Sequence, residues 1–333
     1  MQGLCYEKHE KFLRRPVAPG MEIMKIAIIG PGALGGLLGA LLFEAGESVT
    51  LVDYLPERAA RLRRQGLRLR TPAGGERKIP VPVGLPGEAG PAELVIVAVK
   101  AHQTGAAALS LRPLMAENGL ALSLQNGLGN LETLAAAVGP QRLLAGVAML
   151  GVTRMAAGEI ILAGEGPIII GVPPGSQVSP EELARVAAAL RRAGLDCREQ
   201  PDIEVVLWEK LMVNVGLNPL TALLRVPNGA LPQLPEAWEM ALAAAREAQR
   251  VARALGLALD LDPEEHLRQV CQATAANRSS MLQDVLAGRS TEIDALNGQV
   301  ASRGQALGVP TPVNRCLTQL LRSWGQAGQF RVS

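Results

Sequence analysis

The run Met24–Gly39, MKIAIIGPGALGGLLG, constrains the fold more than any other stretch of this chain. Ile26, Ala27, Ile28 and Ile29 make a short apolar run suited to a buried parallel strand. Gly30, Gly32 and Gly35 follow at once in G-x-G-x-x-G spacing, with Pro31, Ala33 and Leu34 between them. Leu37, Leu38, Leu41 and Leu42 then recur at helical spacing. The order is strand, tight turn, helix. In that setting the glycines turn the chain, let backbone approach a pyrophosphate, and let helix pack closely on strand. Free N–H groups and the helix macrodipole favour a phosphate at the same point. A second apolar strand, Val49–Val52, ends in Asp53, an acid suited to a ribose 2′-hydroxyl. Gly30 to Gly35, with Asp53, read as a dinucleotide site.

The remainder of the chain is consistent with a large α/β protein. Its 333 residues can bury a sizeable core and favour two domains. With 48% apolar residues but only 2% aromatic ones, that core must be built from Leu, Val, Ile and Ala. The formal charge is +2, and the arginines of Arg58–Arg70 have no interleaved aromatics, which argues for a solvated helix face over a nucleic-acid surface. No apolar run reaches membrane-span length. Cys5, Cys197, Cys271 and Cys316 are widely spaced, and His9, His102 and His266 form no ligand-like cluster. Reduced thiols in a cytoplasmic protein, with no metal, are expected.

Residues 1–23 are basic but lack an apolar h-region, so they read as a disordered extension or a start-site artefact, not a signal peptide. Beyond Asp53 come a polar helix at Pro56–Gln65, an alternating strand Leu67–Arg70 and a turn at Thr71–Gly75. Strands at Leu94–Val99 and Leu120–Leu124 flank a helix at Ala106–Met115. Continued βαβ alternation predicts a doubly wound parallel sheet, and Lys100 and Asn126 fall just past strand ends, on the ligand-facing edge. Leu143–Val172 reads as antiparallel additions to that sheet. Ser179, Pro180 and Glu182 predict a capped helix, and Leu195–Arg198 a last strand. After Asp202 helical periodicity takes over. The expected division is an extension at 1–23, a dinucleotide-binding domain at 24–201 and a helical substrate domain at 202–330.

A second constellation lies in that helical region. In Trp208–Leu223, Lys210 and Asn214 are four apart and share a face of a helix that is apolar nearly all round. A buried Lys and Asn need partners. The plainer alternatives are a snorkelling lysine and, for Asn218-Pro219, a helix N-cap followed by proline. Asn228 reads as a turn residue. Ser280 and Gln283 fit a capping box after Asn277, and Glu292 fits a first-turn acid of another helix.

Taken together, GPGALG (Gly30–Gly35), VKAHQT (Val99–Thr104), QNGLGN (Gln125–Asn130), WEKLMVNVGLNPLTAL (Trp208–Leu223), PNG (Pro227–Gly229), SSMLQD (Ser279–Asp284) and TEIDALNG (Thr291–Gly298) resemble the ketopantoate reductases in order and spacing. The resemblance runs from Met24 to Trp324. It implies a Rossmann domain followed by a helical domain, and reduction of 2-dehydropantoate to pantoate in pantothenate and coenzyme A synthesis. It also implies that Lys210 is the proton donor and that Asn214, Asn218, Asn228 and Ser279–Leu282, chiefly Ser280, bind substrate. Lys100 and Asn126 fall on nicotinamide-side positions, Asn126 touching substrate as well. Glu292 falls on an acid that binds cofactor ribose and orients the reacting groups, and Asn277 on a further polar position near the substrate.

The chemistry agrees. Hydride addition to a ketone leaves an alkoxide, which an ammonium within reach can hold and protonate. Asparagines can both donate to carbonyls and accept from hydroxyls.

One departure concerns the cofactor. NADPH-preferring members carry an arginine after the second strand in a V-x-R pattern, where this chain has Val52-Asp53-Tyr54. The resemblance implies NADP(H), whereas an acid at Asp53 favours NAD(H) unless Arg58 or Arg61 reaches the phosphate. Both stand. Rival readings are reduction of a different 2-oxo acid and a non-catalytic dinucleotide sensor. Ala-rich helix surfaces in the second domain could pair two copies into a homodimer.

Overall fold

The computed structural model describes residues 22–71 and 75–327. The expectations for residues 1–21, and for 72–74 of the glycine turn, lie outside the described residues. No helix among those described is long and apolar enough to cross a membrane.

The first unit is built on β1 (Lys25–Ile29), β2 (Ser48–Val52), β5 (Val83–Gly84), β6 (Ala92–Val97), β7 (Met115–Ser123), β8 (Leu143–Ala148), β11 (Ile168–Gly171) and β12 (Cys197–Glu199). They hydrogen-bond in the order β12-β11-β8-β7-β6-β1-β2-β5. From β5 to β8 every neighbouring pair is parallel. Both faces of the central strands are buried over Ile26–Ile29, Leu94–Val97 and Leu120–Leu122, and those runs are apolar without a break. Ile28, Ile96 and Leu122 turn to one core, while Ala27, Val95 and Ala121 turn to the other. Each such Ile or Leu contributes about 1.5–3 kcal/mol of burial.

Between β1 and β2 runs α1 (Ala33–Glu44). A second sheet, in the order β4-β3-β10-β9, comprises β3 (Leu67–Arg70), β4 (Glu76–Ile79), β9 (Gly151–Ala156) and β10 (Glu159–Gly164), and it packs over α1. Two glycines make the fit. A Cβ at Gly39 would stand 2.6 Å from Leu51 Cδ2 of β2, and one at Gly36 would collide with Ile160 Cδ1 of β10. The remaining helices of this unit are α2 (Pro56–Gln65), α3 (Thr104–Leu114), α4 (Asn130–Val138) and α5 (Pro180–Arg192). Ser179 and Glu182 form the expected reciprocal cap on α5.

The expectation for Leu143–Val172 needs correction. Helix α4 makes β7-α4-β8 one more crossover, so β8 joins the main sheet in parallel. Only β11 adds to it antiparallel, against β8, while β9 and β10 pair with each other in the second sheet.

The chain divides into two compact units with the boundary between Ile203 and Glu204, the loop Asn126–Gly129 grouping with the second. That second unit contains α6 (Ile203–Leu224), α7 (Pro235–Ala254), α8 (Pro263–Ala273), α9 (Ser280–Leu286), α10 (Asn297–Leu307) and α11 (Pro312–Gln326). Trp208, Leu211, Met212, Val215, Ala245 and Leu317 belong to its separate core. Gly216 brings α6 onto α7, since a Cβ there would lie 2.8 Å from the Ala241 carbonyl oxygen. Helix α6 also runs unbroken through Asn218-Pro219, so Asn218 is not an N-cap as its plainer reading had it.

Candidate active site

In the first unit the turn after β1 is tightly specified. Gly30 has φ +98°, its N–H donates to the Val52 carbonyl at 3.0 Å, and its own carbonyl accepts from Gly32 N–H at 2.8 Å. A Cβ at Gly35 would fall on the Gly30 carbonyl oxygen. At Gly32, by contrast, a Cβ would meet nothing within 4 Å. Pro31 is buried, whereas Gly32, Ala33 and Leu34 keep some exposure. The first turn of α1 has no side-chain cap and no acid, which leaves its N–H groups to an anion.

Asp53, at the end of β2, has no accessible surface (0%). Arg58 clamps it from α2, with Nε donating to Oδ2 at 2.5 Å and Nη2 to Oδ1 at 2.6 Å. Leu55 N–H adds a bond to Oδ1 at 3.0 Å. Arg58 itself remains 26% exposed. The Tyr54 hydroxyl donates to the Ala106 carbonyl at 3.2 Å, and burial raises its pKa. Lys100 is partly exposed, and its carbonyl accepts Gln103 N–H as the chain turns into α3. Beneath that loop Gln125 Nε2 donates to the Val99 carbonyl at 3.2 Å and to Thr104 Oγ1 at 2.7 Å, and Thr104 Oγ1 lies 2.8 Å from Asn130 Oδ1. These buried side chains tie together the loops after β6 and β7.

In the second unit, α6 presents Lys210, Asn214 and Asn218 at four-residue intervals on one face. Asn218 is buried, while Lys210 and Asn214 each keep a little exposed surface. Protein packed around the Lys210 ammonium pulls its pKa from 10.5 to about 8, and the Glu292 carboxylate partly opposes that shift. Glu292 is buried and lies 3.4 Å from Asn126 Nδ2, which donates to its Oε2. The Asn126 loop is fixed here: Leu128 N–H donates to the Ala295 carbonyl at 2.9 Å, and a Cβ on Gly127 (φ +80°) would strike that same carbonyl.

Asn228 opens a short 3₁₀ segment, Asn228–Gln233. Its N–H donates to the carbonyl of exposed Asn277 at 3.0 Å, and its Nδ2 to Thr274 Oγ1 at 2.9 Å. Its Oδ1 is buried with no hydrogen-bond partner.

Two local expectations are revised. Helix α9 is capped by Ser279, not Ser280: Ser279 Oγ accepts Leu282 N–H at 3.1 Å and lies 2.8 Å from Thr221 Oγ1 of α6. Gln283 reaches the Arg278 carbonyl instead of a cap amide. Ser280, relieved of capping, is the first helical residue and is partly exposed. Glu292 begins a tight turn, its carbonyl accepting Ala295 and Leu296 N–H, and α10 starts only at Asn297.

Residues 26–175 match the sequence family described as "Ketopantoate reductase PanE/ApbA", and residues 202–324 match its C-terminal counterpart. The 2-dehydropantoate 2-reductase of Halobacterium salinarum is 37% identical over 300 residues, 90% of this chain and 98% of that protein. The same enzyme of Archaeoglobus fulgidus is 36% identical over 91% of this chain and 98% of its own length. The chain belongs to the ketopantoate reductase family.

Solved structures agree on the fold. The PanE/ApbA family ketopantoate reductase from Ralstonia eutropha superposes with a TM-score of 0.83 at 32% identity, over 92% of this chain and all of that one. D-mandelate dehydrogenase with NADH and anilino(oxo)acetate gives 0.84 at 26% identity, over 91% and 99%. For this ketopantoate reductase family member, sequence reading missed Thr104, Gln125 and Asn130 as site-supporting residues, although they lie inside two of its quoted motifs. The signal was three amide and hydroxyl side chains adjoining strand ends. It also missed the Arg58–Asp53 pairing, considering Arg58 only as a phosphate partner, because contact across the β2–α2 turn is invisible to helical spacing.

Proposed function

We propose that this chain reduces 2-dehydropantoate to pantoate with a reduced nicotinamide dinucleotide. The observation that carries the reading is a largely buried lysine, its charge disfavoured by packing and favoured by the Glu292 carboxylate, on the helix that also carries Asn214 and Asn218. The sequence likeness to 2-dehydropantoate 2-reductases over nine-tenths of the chain supports it. In this reading residues 24–201 serve the dinucleotide, and residues 202–330 serve substrate and catalysis.

The residues present fit a dinucleotide. Open space at the Gly32 Cα and uncapped N–H groups of α1 suit a pyrophosphate. When bound, the reduced dinucleotide supplies the hydride. The ammonium of Lys210 holds the C2 oxygen as negative charge develops there and then protonates it. The Glu292 carboxylate favours the charged lysine, and Asn126 donates to that carboxylate. Asn214, Asn218 and Asn228 hydrogen-bond the oxo and hydroxyl groups, the buried Asn228 Oδ1 accepting a hydroxyl proton. Ser280, beside the start of α9, binds the carboxylate, and Asn277 and Lys100 complete the polar lining.

The donor in this reading is NADPH. Asp53 is inaccessible and its charge is matched by Arg58, so it neither reaches a ribose hydroxyl nor repels a 2′-phosphate. The exposed part of Arg58 offers that phosphate guanidinium N–H donors. Initial rates with 2-dehydropantoate, at equal NADPH and NADH, test both points. Faster turnover with NADPH is expected, and the Arg58→Ala variant should lose at least about tenfold of that preference. Faster turnover with NADH would overturn the Arg58 argument. Dinucleotide binding without turnover from either donor would remove 2-dehydropantoate as the substrate.

A further inference from the structure

Pro219 sits inside α6, between Asn218 and Leu220. A proline there has no N–H to give the carbonyl four residues earlier, and its ring crowds that carbonyl. The orphaned group is the carbonyl of Val215, a residue buried out of reach of water. Such a group, left unmatched, is costly. It is not left unmatched: Asn297 Nδ2 donates to the Val215 oxygen at 3.0 Å.

We propose that Asn297 is a positioning residue for the site-bearing face of α6, its amide replacing the missing Pro219 N–H on Val215. Val215 lies in the turn that relates Lys210 and Asn214 to Asn218, so this bond sets how the two halves of that face are disposed. The inference rests on the reading of those three residues given above.

Three observations argue against an incidental contact. Asn297 is the first residue of α10, where an asparagine is ordinarily drawn into local capping, yet α10 has no side-chain cap. Its side chain is fully buried with Oδ1 lacking a partner, an arrangement that packing alone would replace with leucine. Finally, Asn297 is itself held. Its Nδ2 lies 3.0 Å from Asn314 Oδ1, and Asn314 Nδ2 donates to the Ala244 carbonyl at 2.9 Å and to buried Glu247 at 2.8 Å. Glu247 is in turn fixed by the N–H groups of Val313 and Asn314 at the start of α11. A chain of buried bonds therefore runs from the Glu247 carboxylate on α7 to the interrupted turn of α6.

The test is a double-mutant cycle between Asn297→Leu and Pro219→Ala in the full chain, reading kcat, KM, NADPH affinity by fluorescence, and Tm. Alanine at 219 restores the helical N–H and makes the Asn297 amide redundant for Val215. In the wild-type background Asn297→Leu should lower kcat/KM by about tenfold, mostly in kcat, with NADPH affinity within about twofold. In the Pro219→Ala background the same change should cost less than about threefold. Equal losses in both backgrounds would overturn the proposal, as would a lowered Tm with kcat and KM intact. Should the wild type bind NADPH but not turn over 2-dehydropantoate, the reaction assigned above fails. The coupling in Tm then decides this inference: strictly additive Tm changes overturn it, and a Tm penalty confined to the proline background supports it.

Discussion

Lys210 is a charged group kept where packing disfavours its charge, and that fixes a pH dependence. Burial lowers its pKa to about 8, and Glu292 acts in the opposite direction. Under the proposed function Lys210 donates in its protonated form, so reduction should be fullest well below about pH 8 and decline as pH rises through that value. Glu292→Gln removes the opposing influence, and the alkaline limb of kcat/KM should move to lower pH; a limb that stays put would detach Glu292 from the lysine. Lys210→Ala should lower kcat by about 10²–10⁴ while NADPH affinity, read by fluorescence, changes little. The i, i+4 relation of Lys210 and Asn214 was legible because it is a property of one helix, whereas its continuation to Asn218 was masked by Pro219, which reads as a helix start. Partnerships such as Arg58 with Asp53, or Asn228 with Thr274, join separate segments, and no local spacing encodes them.

Element boundaries obey capping chemistry that the sequence states ambiguously. Ser279 and Ser280 are adjacent and either could start α9; only contact with Thr221 on another helix makes Ser279 the cap. Ser279→Ala should therefore cost about 0.5–2 kcal/mol in urea unfolding, and Ser280→Ala much less. Under the proposed function Ser280→Ala should instead raise KM for substrate more than it lowers kcat. A similar ambiguity hid α4, whose Ala-rich run follows a glycine loop, and with it the parallel placement of β8. Glycines in the turn after β1 separate folding from binding. Gly35→Ala would drive a methyl into the Gly30 carbonyl and should lower Tm markedly, whereas Gly32→Ala meets open space and should leave Tm nearly unchanged. Under the proposed function that space takes the pyrophosphate, so Gly32→Ala should still weaken NADPH by about tenfold or more in a calorimetric titration.

At the scale of the whole molecule, the division into a sheet-based unit and a helical unit was plain in the switch from βαβ alternation to helical periodicity, although the detour of Asn126–Gly129 into the second unit was not. Ligand linkage follows directly. NADPH at a hundred times its Kd should stabilise the fold that binds it by about 2.7 kcal/mol, seen as a rise in Tm, and Gly32→Ala should remove most of that rise at the same concentration. An undiminished rise in the variant would place the dinucleotide elsewhere. The layering over α1 has a further consequence. Leu51 packs on the helix at Gly39 and Ile160 one turn away at Gly36, both too close to admit a methyl, so the helix lies tight against strands of two sheets. Under the proposed function, the nucleotide-facing N-terminus of that helix is thus in place before any nucleotide arrives, and docking has little backbone left to order. Association should then proceed in one kinetic phase, and the heat-capacity change should reflect only the surface the nucleotide covers, without the larger value of coupled folding.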